Sequence, residues 1–241
     1  MNCDITVKSN TASGKEFQNN DGGGLYVLAG VVTLTGVTVD SNQAINYSDY
    51  DARGGGLFVA GGTVTLSNDT VEFNTATAAA TNIVNNHSAF GGGLYVGGGT
   101  VSLSGTFVEY NSTTAPAAIG SYHSPAGSAY GAGIAVLGGK VTFSADFIEY
   151  NTATGGANST GYPAGSAMAG VCVFAGTVTL CNDTVEFNTA TPGAASNGSP
   201  DGLAVGGIFI ASGATVYIDL STIVTNNTPD NIVGTYISQN C

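Results

Sequence analysis

The chain has 241 residues, 43% hydrophobic and only 8% charged, with four Lys and Arg against 16 Asp and Glu and a formal charge of −12. That balance excludes nucleic acid, because nothing here neutralises a run of phosphates, and it excludes anionic membrane surfaces and polyanionic glycans for the same reason. No run of 18 apolar residues offers direct membrane insertion, and the 37 glycines follow no Gly-X-Y period, so the chain is not collagen.

The chain opens on MNCDITVKSN, which reads as a partial repeat unit over residues 2–10. No cationic start leads into an apolar run, so no secretory leader is expected. GGGLYV follows at Gly22 and returns as GGGLFV at Gly54, GGGLYV at Gly91, GAGIAV at Gly131, MAGVCV at Met168 and VGGIFI at Val205. A VTL-like run, a Val or Ile, an acid in five of six cases and an Asn come after each. The units span 22–42, 54–74, 91–111, 131–151 and 168–188, all of 21 residues, and then 205–226; a terminal partial unit covers 230–241. Inserts of 11, 16, 19, 16 and 16 residues separate them, so the unit is the fold and the inserts are expected to be loops from one corner. One passage occurs nearly verbatim twice, as TVTLSNDTVEFNTAT at 63–77 and TVTLCNDTVEFNTAT at 177–191.

Within a unit the apolar residues alternate in three short runs, in the second unit Leu57, Val59, Val64, Leu66, Val71 and Phe73, with glycines at the turns. The expected fold is all-β: one domain over 1–241, a right-handed parallel β-helix (solenoid) of about six 21-residue rungs of three short strands, with loop inserts at one corner. A sandwich does not explain a constant unit beside variable inserts. The recurrent Asn10, Asn42, Asn74, Asn111, Asn151, Asn188 and Asn226 are expected to form a structural ladder of stacked amides.

The pairing of GGGLYV or GAGIAV with VEFN, VEYN or IEYN resembles the GGA[ILV] and FxxN repeats of polymorphic membrane proteins, and the β-helical repeats of autotransporter passengers. The resemblance covers nearly the whole chain, although FxxN reads [VI]xxN here and no C-terminal membrane barrel follows. It implies a surface-exposed or secreted structural or adhesive module.

With apolar residues inside, their neighbours form outward columns. Asp40, Glu72, Glu109, Glu149 and Glu186 make an acidic column, with Asp69, Asp146 and Asp183 beside it on three units. Such a column is either a solvated stripe with raised pKa values or a set of oxygen ligands for Ca²⁺, the one cofactor considered. A hydroxyl column runs through Thr33, Thr65, Ser102, Thr142 and Thr179, and an aromatic one through Tyr26, Phe58, Tyr95 and Phe209, over which inserts are expected to fold. The two histidines, His87 and His123, sit in inserts with no catalytic arrangement around them, so no enzyme is expected. Asn-x-Ser/Thr triplets recur, as at Asn46 and Asn111.

Cys3 and Cys241 lie in the two end segments, too far apart along a rod to pair within one chain, and are expected to join copies stacked head to tail. Cys172 and Cys181 fall in one unit, either joined to each other or open to an insert or a neighbour. The reading is therefore a non-catalytic, extracellular or cell-surface structural protein, a head-to-tail homo-oligomer forming a filament. An adhesin-like binding module is the alternative, ahead of an ice-binding protein or a carbohydrate-active enzyme.

Overall fold

The computed structural model describes residues 5–14, 19–47, 50–79, 87–118, 125–196 and 198–241. Among them there is no helix, and every ladder between strands is parallel. Each strand pairs with the same strand of the next unit. Thus Val39, Val71, Val108, Ile148, Val185 and Val224 face one another in series, as do Leu57, Leu94, Ile134, Val171 and Ile208. These files point inward and make a continuous core of Val, Leu and Ile, in which Phe143 is the largest fully buried side chain.

Four sheets result. The large sheet contains two stacks, one through Leu57–Val59 and one through Thr63–Ser67, merged at one end by the long strands Val171–Cys181 and Ile208–Asp219. The acidic sheet runs from Ile5–Lys8 to Ile223–Thr225 and carries the Glu column. Two further sheets correct the expectation that the inserts are plain loops. Their first residues, such as Thr75–Ala78, form a six-stranded sheet, and their last two, such as Ala89–Phe90, form another. This side lobe is packed almost wholly by alanines, among them Ala129, Ala153, Ala167 and Ala190. Its backbones lie so close that a Cβ on Gly156 would stand 1.8 Å from the Pro116 carbonyl oxygen, so this position takes only Gly.

Residues with positive φ turn the chain at several corners of each unit. One precedes the ladder asparagine: Ser9, Ser41, Phe73, Tyr110, Tyr150, Phe187 and Asn226, all with φ between 51° and 57°. After it the asparagine points into the interior, where it is fully bonded. Asn111 Oδ1 accepts the side-chain amide of Asn74 at 3.0 Å and its backbone N–H at 3.0 Å. Asn111 Nδ2 donates to the Val71 carbonyl at 2.8 Å and upward to Asn151 Oδ1 at 3.1 Å. Both donors and both lone pairs are used. Contact with this column also explains the third glycine of GGGLFV, because a Cβ on Gly56 would meet Asn74 Cγ at 2.9 Å and the Gly93 carbonyl oxygen at 2.7 Å.

The ladder runs Asn10, Asn42, Asn74, Asn111, Asn151, Asn188, as expected, but then passes to Asn227 and Asn231. Asn226 is not a member. The sixth unit contains extra residues, one at an irregularity opposite Val173 to Ala175, and Asn226 takes the left-handed corner that Phe187 takes below. Replacing Asn111 by Ala should lower the unfolding free energy by about 2–4 kcal/mol, because it leaves two buried donors below without an acceptor. Asn226→Gly should change it by less than about 0.5 kcal/mol, since Gly suits a left-handed corner. Urea denaturation of both variants checks the register.

Candidate functional site

The outer face of the acidic sheet gathers the most distinctive side chains. Asp40, Glu72, Glu109, Glu149 and Glu186 stand in register, one per unit, about 4.8 Å apart. Lys8 occupies the place below Asp40 in the same column, and its ammonium donates to the Asp40 carboxylate. That bond, with one from Ser41, holds Asp40 below the usual carboxylate range. Further up, partial burial and then the neighbouring carboxylates raise Glu72 and Glu149.

Rings stand on both sides of this column. On the corner side Phe73, Tyr110, Tyr150 and Phe187 stack at centroid distances of 5.2, 5.1 and 5.1 Å, within 10° of parallel. On the other side Phe107 and Phe147 stack at 4.9 Å, flanked in register by Thr70 and Thr184. The rings are exposed while the Glu residues are half-buried. The face is therefore a shallow channel with a carboxylate floor and aromatic sides. Among the described residues no three His, Cys, Asp or Glu side chains converge to hold a metal ion. The column proposed for Ca²⁺ is a line rather than a cage.

Asp69, Asp146 and Asp183 do not lie beside this column on the surface. They are buried just after the left-handed residues Asn68, Ala145 and Asn182, where each carboxylate accepts a backbone N–H from its own unit and one from the unit below. For Asp146 those donors are Ser144 at 2.9 Å and Thr106 at 2.7 Å. Burial outweighs these bonds and pushes Asp146 up to about 6 and Asp183 up to about 7. They are turn residues.

The hydroxyl column is present in register on the large sheet from Thr33 to Thr179, and the file continues through Tyr217 to Ile237. Most of the aromatic column, by contrast, is covered. Phe58, Tyr95, Ala135 and Cys172 are buried beneath Phe90, Tyr130, Leu137 and Phe174. Arg53, paired with Asp21 at 2.7 and 2.9 Å, lies 5.3 Å from the Phe58 ring centroid and 5.5 Å from that of Tyr95. Asn46 and Asn111 are buried and hydrogen-bonded, which takes both out of reach of glycosylation.

The cysteines correct both expected pairings. Cys181 is joined to Cys241, with 5.9 Å between Cα atoms. The C-terminal strand Ile237–Gln239 adds to the edge of Ile208–Asp219 in parallel, and the last residue then reaches back to the unit below. Cys241 is therefore not available to another chain as Cys3 would require, and Cys3, like His123, lies outside the described residues. Cys172 is buried and unpaired, with its thiol pushed up by burial, so it does not pair with Cys181.

The chain matches no family model, no curated protein and no solved structure.

Because Asp146 and Asp183 titrate higher when folded than when unfolded, they favour folding most in their protonated form. Their contribution is complete below about pH 4 and is lost as pH rises through about 6 and about 7. Urea denaturation should show stability falling across that window, and Asp183→Asn should flatten the slope even where it lowers the mean. A stability that rises from pH 4 to 7 contradicts this account of the corner.

Proposed function

We propose that the chain is a right-handed parallel β-helix acting as a non-catalytic, extracellular structural protein that stacks head to tail on copies of itself. The observation that carries this reading is the state of the two ends. At the N-terminal end the strands Leu25–Val27 and Val31–Thr35 form an edge, with Leu28 66% and Val31 79% exposed. At the other end Leu220 is 80% and Ile223 53% exposed, beside a cleft of about 270 Å³ into which the core residues Ile218, Val224 and Ile232 open. Unpaired parallel edges with apolar side chains are templates for another copy.

The polarity of the asparagine ladder supports a head-to-tail contact. In every amide-to-amide bond of the ladder the donor lies on the N-terminal side and the acceptor on the C-terminal side, from exposed Asn10 to exposed Asn231. The first unit of one copy and the last of another are therefore complementary only in that order, and such a contact does not close. The covalent link between copies drops out, since Cys241 is engaged within the chain. Stacking rests on edges and apolar contact instead. A disulfide between Cys181 and Cys241, with a surface poor in Lys, supports an oxidising, extracellular setting. No helix among the described residues is long and apolar enough to cross a membrane. The channel on the acidic sheet favours the second reading, an adhesin-like binding module, and the two are compatible in one rod.

Sedimentation velocity and negative-stain electron microscopy test the stacking. Wild-type protein should form elongated assemblies that grow with concentration. Leu28→Lys with Val31→Lys should give monomers with an unchanged melting temperature, because charge on an exposed edge blocks pairing without touching the core. Monodisperse wild-type monomer at high concentration, or assemblies indifferent to the edge charges, overturns the proposal.

A further inference from the structure

The corner before each ladder asparagine does not need an aromatic. Ser9, Ser41 and Asn226 take the same left-handed conformation at the ends of the rod. Phe73, Tyr110, Tyr150 and Phe187 take it in four consecutive units, although left-handed backbone is unfavourable for a bulky residue. They stay half-exposed, and their stacking along the rod covers most of each ring face. What they offer outward is ring edge, an apolar wall beside the carboxylates. Exposed apolar strips of this kind mark interaction surfaces.

The chain itself supplies one occupant. Lys8 lies in register on the column with its ammonium on Asp40. Above Asp40 the floor continues through Glu72, Glu109, Glu149 and Glu186, and the column carries no second cation of this chain before Thr225. Lysine and arginine suit such a channel: the methylene stem lies against the aromatic sides while the charged head reaches the floor. Single exposed pairs contribute little. A rigid line of carboxylates about 4.8 Å apart holds its charges in place without loss of freedom, and a flexible stem absorbs the mismatch with the repeat of an extended peptide.

We propose that the channel from Glu72 to Glu186 docks an extended lysine- or arginine-rich segment of a partner polypeptide. Three steps of about 4.8 Å span roughly 15 Å, the length of four to five extended residues. This inference stands apart from the stacking of rods, since the channel lies on the side and not at an end.

Fluorescence anisotropy with labelled octalysine at low ionic strength tests it on the full chain. The peptide should bind, and its fully ε-acetylated form should not. Glu109→Gln with Glu149→Gln should weaken binding by about tenfold. Tyr110→Asn with Tyr150→Asn should weaken it by about fivefold at unchanged net charge, and melting should be retained because Asn tolerates a left-handed corner. Asp201→Asn with Asp230→Asn, which removes the same charge elsewhere, should change affinity by less than about twofold. The proposal is overturned if octalysine does not bind, if the tyrosine variant binds like wild type, or if the remote variant loses as much as the glutamate variant. It also falls if spermine displaces octalysine at equimolar concentration, which would make the channel a polyamine site.

Discussion

The asparagine column is the constraint to which the rest of the structure answers. A primary amide has two donors and an acceptor with two lone pairs, and in this chain all are used. One donor goes to a carbonyl of the unit below and one to the next amide, while the oxygen accepts an amide and a backbone N–H from below. An aspartate could not donate, and a leucine would leave buried backbone groups unpaired at each corner. Because the bonds cross units separated by 32, 37, 40, 37 and 39 residues, the column sets the register whatever the insert length. The glycines follow from it. The third glycine of each GGG motif is small because the amide and the next backbone crowd it. The left-handed residue before each asparagine follows as well, since the chain must turn there to aim the amide inward.

Much of this was legible in the sequence. Alternation and the 21-residue period mark the inward files except at Phe73, which alternation places inside but which stands exposed at the left-handed corner, and the recurrent asparagine marks that corner. The one misplaced member, Asn226, shows what a period cannot resolve. Two adjacent asparagines occupy two different backbone states, and the extra residues of the sixth unit move the ladder to Asn227. The aspartates at 69, 146 and 183 misled for a related reason. Alternation assigns a residue to one side of a strand, but a left-handed corner reverses the sense, so these carboxylates turn inward onto backbone N–H groups.

Two features lay outside the reach of sequence periodicity. The ends of the inserts are too short and too rich in alanine to show an alternation, yet they form ladders because Ala and Gly let backbones approach in the side lobe. The disulfide joins residues 60 apart in sequence and depends on where the last strand runs. Once the tail is seen pairing with Ile208–Asp219, the change from Ser67 to Cys181 between two otherwise matching passages has its reason: Cys181 is the position within reach of Cys241.

Repetition has opposite consequences for amides and for acids. A column of amides is self-complementary, while a column of carboxylates repels itself more strongly the less water it has. The buried acid column is accordingly broken. Reading upward it runs Val37, Asp69, Thr106, Asp146, Asp183, Thr222, and only Asp146 and Asp183 are adjacent. The outer column is not broken. Four glutamates follow Asp40 without a neutral residue, even though Thr225 at the far end shows that a threonine fits the position. Solvent screening lowers the cost of that line but gives no reason for it to be uninterrupted. Its persistence over the same units that carry exposed rings at strained corners ties charge and rings together as one surface. The repulsion along this line is what the proposed cationic segment would relieve.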